Sequence, residues 1–362
     1  MHIGASFDRA RATTLDSDGP CGDALLMSED EAMIEKSRVV LEQISPLAWE
    51  HPADRAALNT LRAIPAVDDI LKKIYGFFGE RGIRLVFQAN AVRVGPKQLA
   101  RLDRMMDEVC SALDWHDRPQ LFVSQSPEAN AGAFGMEHPF IVLQSGVVAL
   151  LDDEELRVVL GHELGHIISE HMLYRTVATM LLRFGLRGLP FLAGVALQPI
   201  RYALLEWMRK SELSCDRAGL LAGQDPLSAM RGFLKMAGGG AIEEMDVDAF
   251  MAQAREYLDK DSTAEFLGKI LVMLDRTHPF STLRAAHLQR WIEEGHYDRI
   301  LRGDYPRRSS EQPRSDLRQD FSETKSYYTE RAHEAAATVA DAARRARDAV
   351  ATAFGRGKKS DE

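Results

Sequence analysis

The chain lacks several of the features that usually announce a function. Three cysteines in 362 residues, Cys21, Cys110 and Cys215, are too few and too widely spaced for a disulfide framework or a thiolate zinc site. Basic residues are not in excess: 45 Lys and Arg against 54 Asp and Glu give a formal charge of −9, which argues against nucleic acid as an obligate partner. The opening residues, Met1 to Arg9, show no basic segment leading into an apolar one. A secretory signal is therefore not expected, and the expected compartment is the cytoplasm. A long apolar run is missing as well. The most apolar region, Met172 to Trp207, is interrupted by Arg175, Arg183, Arg187 and Arg201, and its longest uncharged piece, Gly188 to Ile200, has thirteen residues with two prolines. A spanning helix needs about twenty residues. Buried helix and turn are expected there, not a membrane crossing.

What remains is an ordinary globular composition, 45% hydrophobic and 27% charged, long enough for one large domain with appendages or for two small ones. Within it stands the run Val159 to Ile168, whose centre is His162-Glu163-Leu164-Gly165-His166. Asp152 and Glu155 form a capping-box pattern ahead of the apolar series Leu156, Val159, Leu160, Leu164 and Ile167, which predicts a helix. At about 3.6 residues per turn His162 and His166 lie one above the other, so both imidazoles can reach one ion. Glu163 sits about 100° round the helix, beside such an ion, where a general base acting on a metal-bound water is wanted.

The rest of the chain reads as follows. Residues 1–28 are polar and without period, and are expected to be poorly ordered. Helical patterns up to Phe78 are broken at Pro46, Pro52 and Pro65. Ile83 to Phe87 and Val92 to Val94 look like short strands, followed by an amphipathic helix from Lys97 to Leu113. Gln120 to Val123 reads as a strand, and Ala131 to Gly135 with Pro139 to Leu143 as a hairpin that leads to the His162 helix. Beyond Trp207, helices are expected over 209–221, 227–236, 246–258, 266–274 and 283–294.

A catalytic zinc takes three protein ligands and keeps a fourth position open. Glu206, Glu212, Asp216 and Asp225 are the downstream acidic candidates. Projected on a helix at about 100° per residue, Leu205, Met208, Cys215 and Gly219 share a face with Glu212, and Asp216 lies about 40° from it. Two carboxylates on so apolar a face would each cost several kcal/mol unpaired. Glu212 as the third ligand, with Asp216 behind it orienting a zinc-bound imidazole, meets that demand.

Gly161 to His166 together with Ser211-Glu212-Leu213-Ser214-Cys215-Asp216-Arg217-Ala218 resembles the M48 family of zinc metallopeptidases, which includes the CAAX prenyl endopeptidases and the bacterial heat-shock protease HtpX. The likeness extends to Asn130-Ala131 and Pro139 to Val142, and to Thr277-His278-Pro279 with Arg284, covering residues 60 to 300. It implies an α+β, mostly helical zincin-type fold with a small sheet edge beside the His-Glu-x-x-His helix. One Zn²⁺ per chain is implied, held by His162, His166 and Glu212, with Glu163 as base and Asp216 and Arg284 behind the ligands. His278 is implied to act near the metal, and Asn130 and Ala131 to bind an extended substrate by strand addition. Without a spanning segment the chain looks like the soluble bacterial branch, a zinc-dependent endopeptidase with a role in protein quality control and protein or peptide substrates.

Domain boundaries follow: residues 1–28 as a tail, 29–305 as the peptidase domain with its N-terminal helices, and 306–362 as a charged linker and an amphipathic helix. Residues 323–354 carry an Ala-rich stripe. Two readings stay open there, a solvated helix on the body, or a helix for a partner or an anionic lipid surface at the inner face of the membrane. Two other functions also stay open, a chaperone-like binding protein with a structural zinc, and a metal-dependent amidase acting on small molecules.

Overall fold

Four short strands and a set of helices account for the residues that the computed structural model describes, 38–63, 67–78, 80–184, 197–259 and 280–310. The strands are β1 (Ala91–Arg93), β2 (Gln120–Ser124), β3 (Ala131–Phe134) and β4 (Phe140–Gln144). They form one sheet in the order β1-β2-β4-β3, with β2 and β4 parallel and both outer pairs antiparallel. The side chains alternate as a pleat requires. Leu121, Ala133, Ile141 and Leu143 enter the main core, while Phe122, Phe134, Phe140 and Val142 form an aromatic cluster on the opposite face.

That second face is covered from an element the sequence pattern misread. Ile83 to Phe87, expected as a strand, lies within helix α3 (Glu80–Gln88), which follows α1 (Pro52–Arg62) and α2 (Val67–Phe78). A five-residue apolar run carries too few periods to separate strand from helix. The tertiary contact decides: Phe87 stacks on Phe134 at 4.1 Å between ring centroids. The next helix, α4 (Ala100–Ala112), packs Leu102, Met105, Met106 and Val109 into the main core.

A short helix that the pattern did not show, α5 (Ser145–Leu150), turns the chain out of β4 into α6 (Asp153–Ile168). The expected capping box opens α6. Asp152 accepts from the Glu155 N–H at 3.0 Å, and Glu155 accepts from the Asp152 N–H at 2.9 Å. From Gly161 to Ile168 every residue is buried, so α6 runs through the core instead of lying on it. Two further helices follow, α7 (Met172–Phe184) and the long α8 (Leu197–Gly223).

Helices α6 and α8 meet through their smallest residues. A Cβ on Gly165 would stand 2.6 Å from the Ala218 Cβ, and one on Gly219 would stand 2.6 Å from the Val158 carbonyl oxygen. This backbone-close crossing carries Glu212 and Asp216 across to the histidines. Helices α9 (Pro226–Gly238), α10 (Val247–Asp259), α11 (Ser281–Glu293) and α12 (His296–Leu301) close the other side of the main core. At its end the described chain pairs with its own beginning: Ser45 donates to the Pro306 carbonyl at 3.0 Å and Arg308 to the Gln43 carbonyl at 2.7 Å. Among the described residues no helix is long and apolar enough to cross a membrane. The expected tail 1–28, the helix over 266–274, His278 and the stripe over 323–354 lie outside the described residues.

Candidate metal centre

Helix α6 presents His162, Glu163 and His166, and α8 presents Glu212 from across the crossing; all four are buried. The Nε2 of His162 stands 3.3 Å from Glu212 Oε2, and the Nε2 of His166 stands 3.3 Å from Glu212 Oε1. One atom from each of the three residues lies within 4.8 Å of the others. Two imidazole nitrogens and one carboxylate oxygen, so close and so dry, suit a borderline divalent cation such as zinc. Glu163 supports the fit. Its Oε2 is buried and takes no hydrogen bond among the described residues, as expected of a carboxylate kept for a water or a substrate proton.

The residues behind the donors are equally ordered. The Nδ1 of His162 is 3.0 Å from Asp216 Oδ1, and Arg284, from α11, donates through Nε to Asp216 Oδ2 at 2.9 Å. Burial alone would raise the Asp216 pKa, but Arg284 and His162 overcome it and hold the carboxyl below its ordinary value. In the metal-free chain burial pulls His162 down, while Glu212 and the Asp216 hydrogen bond outweigh it and lift its pKa to about 9. His166 moves the other way: burial and the neighbouring Arg175 cation hold it well below the ordinary histidine value. The Arg284 Nε and Nη2 are engaged with Asp216, and Nη1 stands 3.7 Å from Glu212 Oε2. This places Arg284 beside the Asp216 and Glu212 carboxylates, in the wall of the cavity that His162 and Glu163 also line.

Three residues at the site were not singled out for it from the sequence. Arg175, noted only as a break in an apolar region, donates from Nη1 to Glu212 Oε1 at 2.6 Å, and that nitrogen lies 2.8 Å from His166 Nε2. Its Nη2 stands 3.7 Å from Glu163 Oε2. An arginine in a run otherwise fit for a core was the available signal, because a buried guanidinium demands buried acids. His171, about 140° off the ligand face on an ideal helix, starts a new turn beyond α6, and its Nδ1 stands 3.1 Å from His166 Nδ1. Asp54, in the first turn of α1, faces His171 Nε2 at 3.6 Å. Cys215 is a fully buried core residue, and burial with the Glu212 charge raises its thiol pKa well above normal.

A cavity of about 600 Å³ opens onto His162 and Glu163, with Asn130, Ala131, Val159 and Phe233 in its wall. Strand β3 is the sheet edge at this cavity. Gln144 donates to the Asn130 carbonyl at 2.9 Å, so the antiparallel alternation turns the backbone groups of Ala131 and Ala133 away from β4. The Ala131 N–H is held meanwhile by the Asn130 side chain at 2.8 Å.

The profile of peptidase family M48 matches residues 96–292. The chain is 34% identical over 261 residues to the plastoglobule-localized metallopeptidase 48, chloroplastic, of Arabidopsis thaliana, covering 70% of this chain and 75% of that protein. A protease HtpX homolog of Pseudarthrobacter chlorophenolicus is 27% identical over 237 residues, 60% of this chain and 80% of that one. Another from Ralstonia pickettii is 27% identical over 234 residues, 58% and 79% of the two chains. No solved structure matches. The profile spans more than half of the sequence and includes both helices that carry the buried His and Glu cluster; the chain belongs to peptidase family M48 and is a metalloprotease.

Proposed function

We propose that the chain is a zinc-dependent endopeptidase, with His162, His166 and Glu212 holding one zinc and Glu163 acting as general base. The observation that carries this is the meeting of three buried donor atoms with the Glu163 carboxylate at a cavity walled by a sheet edge. Bound there, zinc would supply Lewis-acid polarisation of the scissile carbonyl and acidify the attacking water. Glu163 takes the proton from that water as its oxygen adds to the carbonyl carbon. It then delivers the proton to the amide nitrogen, which leaves as the new amine. Asp216, held by Arg284, accepts from His162 Nδ1–H and would leave the Nε2 lone pair available to a bound zinc. An extended peptide would add to the open end of β3 at Asn130 and Ala131, with the Asn130 side chain releasing the Ala131 N–H. The sheet edge favours chains over small amides. For the oxyanion donor the candidates are His278, which lies outside the described residues, and Arg284. The family resemblance extends the proposal to protein quality control, with unfolded chains as substrates.

The test is Glu163→Gln beside wild type, with metal content by mass spectrometry and digestion of an unfolded protein such as casein. One zinc per chain in both proteins, with turnover reduced by at least about 10³-fold in the variant, is expected. Substantial cleavage by the variant would overturn the mechanism. Absence of zinc from the wild type after reconstitution would overturn the ligand set.

A further inference from the structure

We infer that His171 is a positioning residue for the metal site: it accepts the His166 Nδ1–H, and Asp54 of helix α1 fixes the tautomer that lets it do so. The inference rests on the ligand set proposed above. In that set each histidine would offer the Nε2 that it turns towards Glu212, so each neutral ring would carry its proton on Nδ1 and need an acceptor there. For His162 that acceptor is Asp216. For His166 it is His171, whose Nδ1 stands 3.1 Å away with both rings buried. Two Nδ1 atoms can share only one proton in such a contact. With the proton on His166, His171 Nδ1 must be bare and its own proton must sit on Nε2.

The surroundings agree with that tautomer. His171 Nε2 faces Asp54 Oδ2 at 3.6 Å, the separation of an electrostatic contact. Asp54 is itself held, since Oδ2 accepts from the Ser214 hydroxyl at 2.6 Å, and Ser214 Oγ accepts from the His51 N–H at 2.9 Å. His51 caps α1 by accepting from the Ala53 N–H through Nδ1 at 3.0 Å. Ser214 lies two residues from Glu212 on α8. The start of α1 is thus tied both to the helix that carries the third donor and to the imidazole behind the second. Trp207 stands edge-on to the His171 ring at 5.3 Å between centroids. Asp54 and His51 lie before the segment matched by the family profile, which begins at residue 96. A reading of His166, His171 and Cys215 as a second metal group competes, because their donor atoms also lie within 4.8 Å. It would require His166 to give up the Nδ1 proton and serve two ions from one ring, which disfavours it.

The experiment uses the full chain and zinc alone as probe, with the dissociation constant read by competition against a chromophoric chelator. Wild type should bind one equivalent. His171→Phe, which keeps the ring volume and removes the acceptor, should weaken zinc about 10- to 100-fold. His171→Asn, whose amide oxygen lies near the Nδ1 position, should recover most of the loss. Asp54→Leu should weaken zinc, and Asp54→Asn, which keeps an oxygen towards Nε2 and Ser214, should not. The nitrogen shifts of ¹⁵N-histidine in the zinc-loaded wild type read the tautomer without any variant: His166 protonated on Nδ1, His171 on Nε2. The opposite tautomer at His171, or equal affinities for wild type, His171→Phe and His171→Asn, would overturn the inference. So would a second equivalent of zinc lost in both His171→Phe and Cys215→Ser. A wild type that binds no zinc would instead overturn the ligand set beneath it.

Discussion

Arg175 brings a cation into the centre of the donor cluster, and its removal has a calculable consequence. It faces Glu212 and Glu163 at once, and those acids, outweighing burial, hold the guanidinium more firmly protonated than usual. Breaking a buried pair by deleting one partner costs about 3–5 kcal/mol. Arg175→Met should therefore lower the melting temperature of the chelator-treated chain by many degrees. A bound divalent cation would replace much of the lost charge. The rise in melting temperature on adding zinc should thus be larger in Arg175→Met than in wild type, as thermal denaturation with and without zinc would show. Asp54 provides a second test at this scale. Burial raises its pKa to about 7 and the Ser214 hydrogen bond only partly opposes this. A carboxyl whose folded pKa is raised contributes stability that is complete below its unfolded value, near 3.8, and is lost as pH climbs through about 7. Asp54→Asn should be flatter than wild type over that window and the more stable of the two at pH 8. Urea denaturation of the metal-free proteins at pH 5 and pH 8 measures it. The gap between 3.8 and about 7 bounds the effect at about 4 kcal/mol.

At the scale of elements, the α6–α8 crossing is the part that makes a site out of two helices. Its separation is set by Gly161, Gly165 and Gly219, with Ala218 and Ala222 opposite. Gly165→Ala gains helix propensity, worth about 1 kcal/mol, yet puts a methyl 2.6 Å from the Ala218 Cβ, with no flexible side chain to give way. Overpacking of this kind costs about 1–3 kcal/mol, so the clash outweighs the propensity. The expected outcome is a less stable protein with weaker zinc binding, because Glu212 is carried off with α8. Calorimetry of the two proteins, with and without zinc, separates the losses. The start of α6 is held from another side. Glu155, fully buried, accepts from Lys235 Nζ at 2.7 Å and from Arg231 Nε at 3.1 Å, both on α9. A capping residue that also pairs with two cations across the core sets the angle at which α6 enters.

Over the whole molecule, the site is a convergence of α6, α7, α8 and α11, with α1 behind it, and no single segment holds more than part of it. A ligand that binds the folded chain alone stabilises it by about 4 kcal/mol at a thousand times its dissociation constant. Stripping the metal with a chelator should accordingly lower the melting temperature by several degrees, and zinc should restore it. An unchanged melting temperature would mean that the metal is not held by this convergence. The same geometry accounts for the cavity, which lies where the edge strand β3 meets the half-buried side of α6 at Val158 and Val159.

Local pattern was enough for the helix of the two histidines, its capping box, and the acids on the apolar face of α8, because periodicity places side chains within one helix without reference to any other. It was enough also for the sheet strands and the family, since those signals are short and contiguous. It was not enough for α3, whose five-residue apolar run is settled by Phe87 reaching Phe134. Nor could it assign Arg175, His171 or Asp54. Their contacts run to residues 37, five and 117 positions away, and a charge or an imidazole has no periodicity that names a distant partner. Which donor meets which lone pair follows from packing in three dimensions, through the glycine-lined approach of α6 to α8 and the docking of α1 upon them.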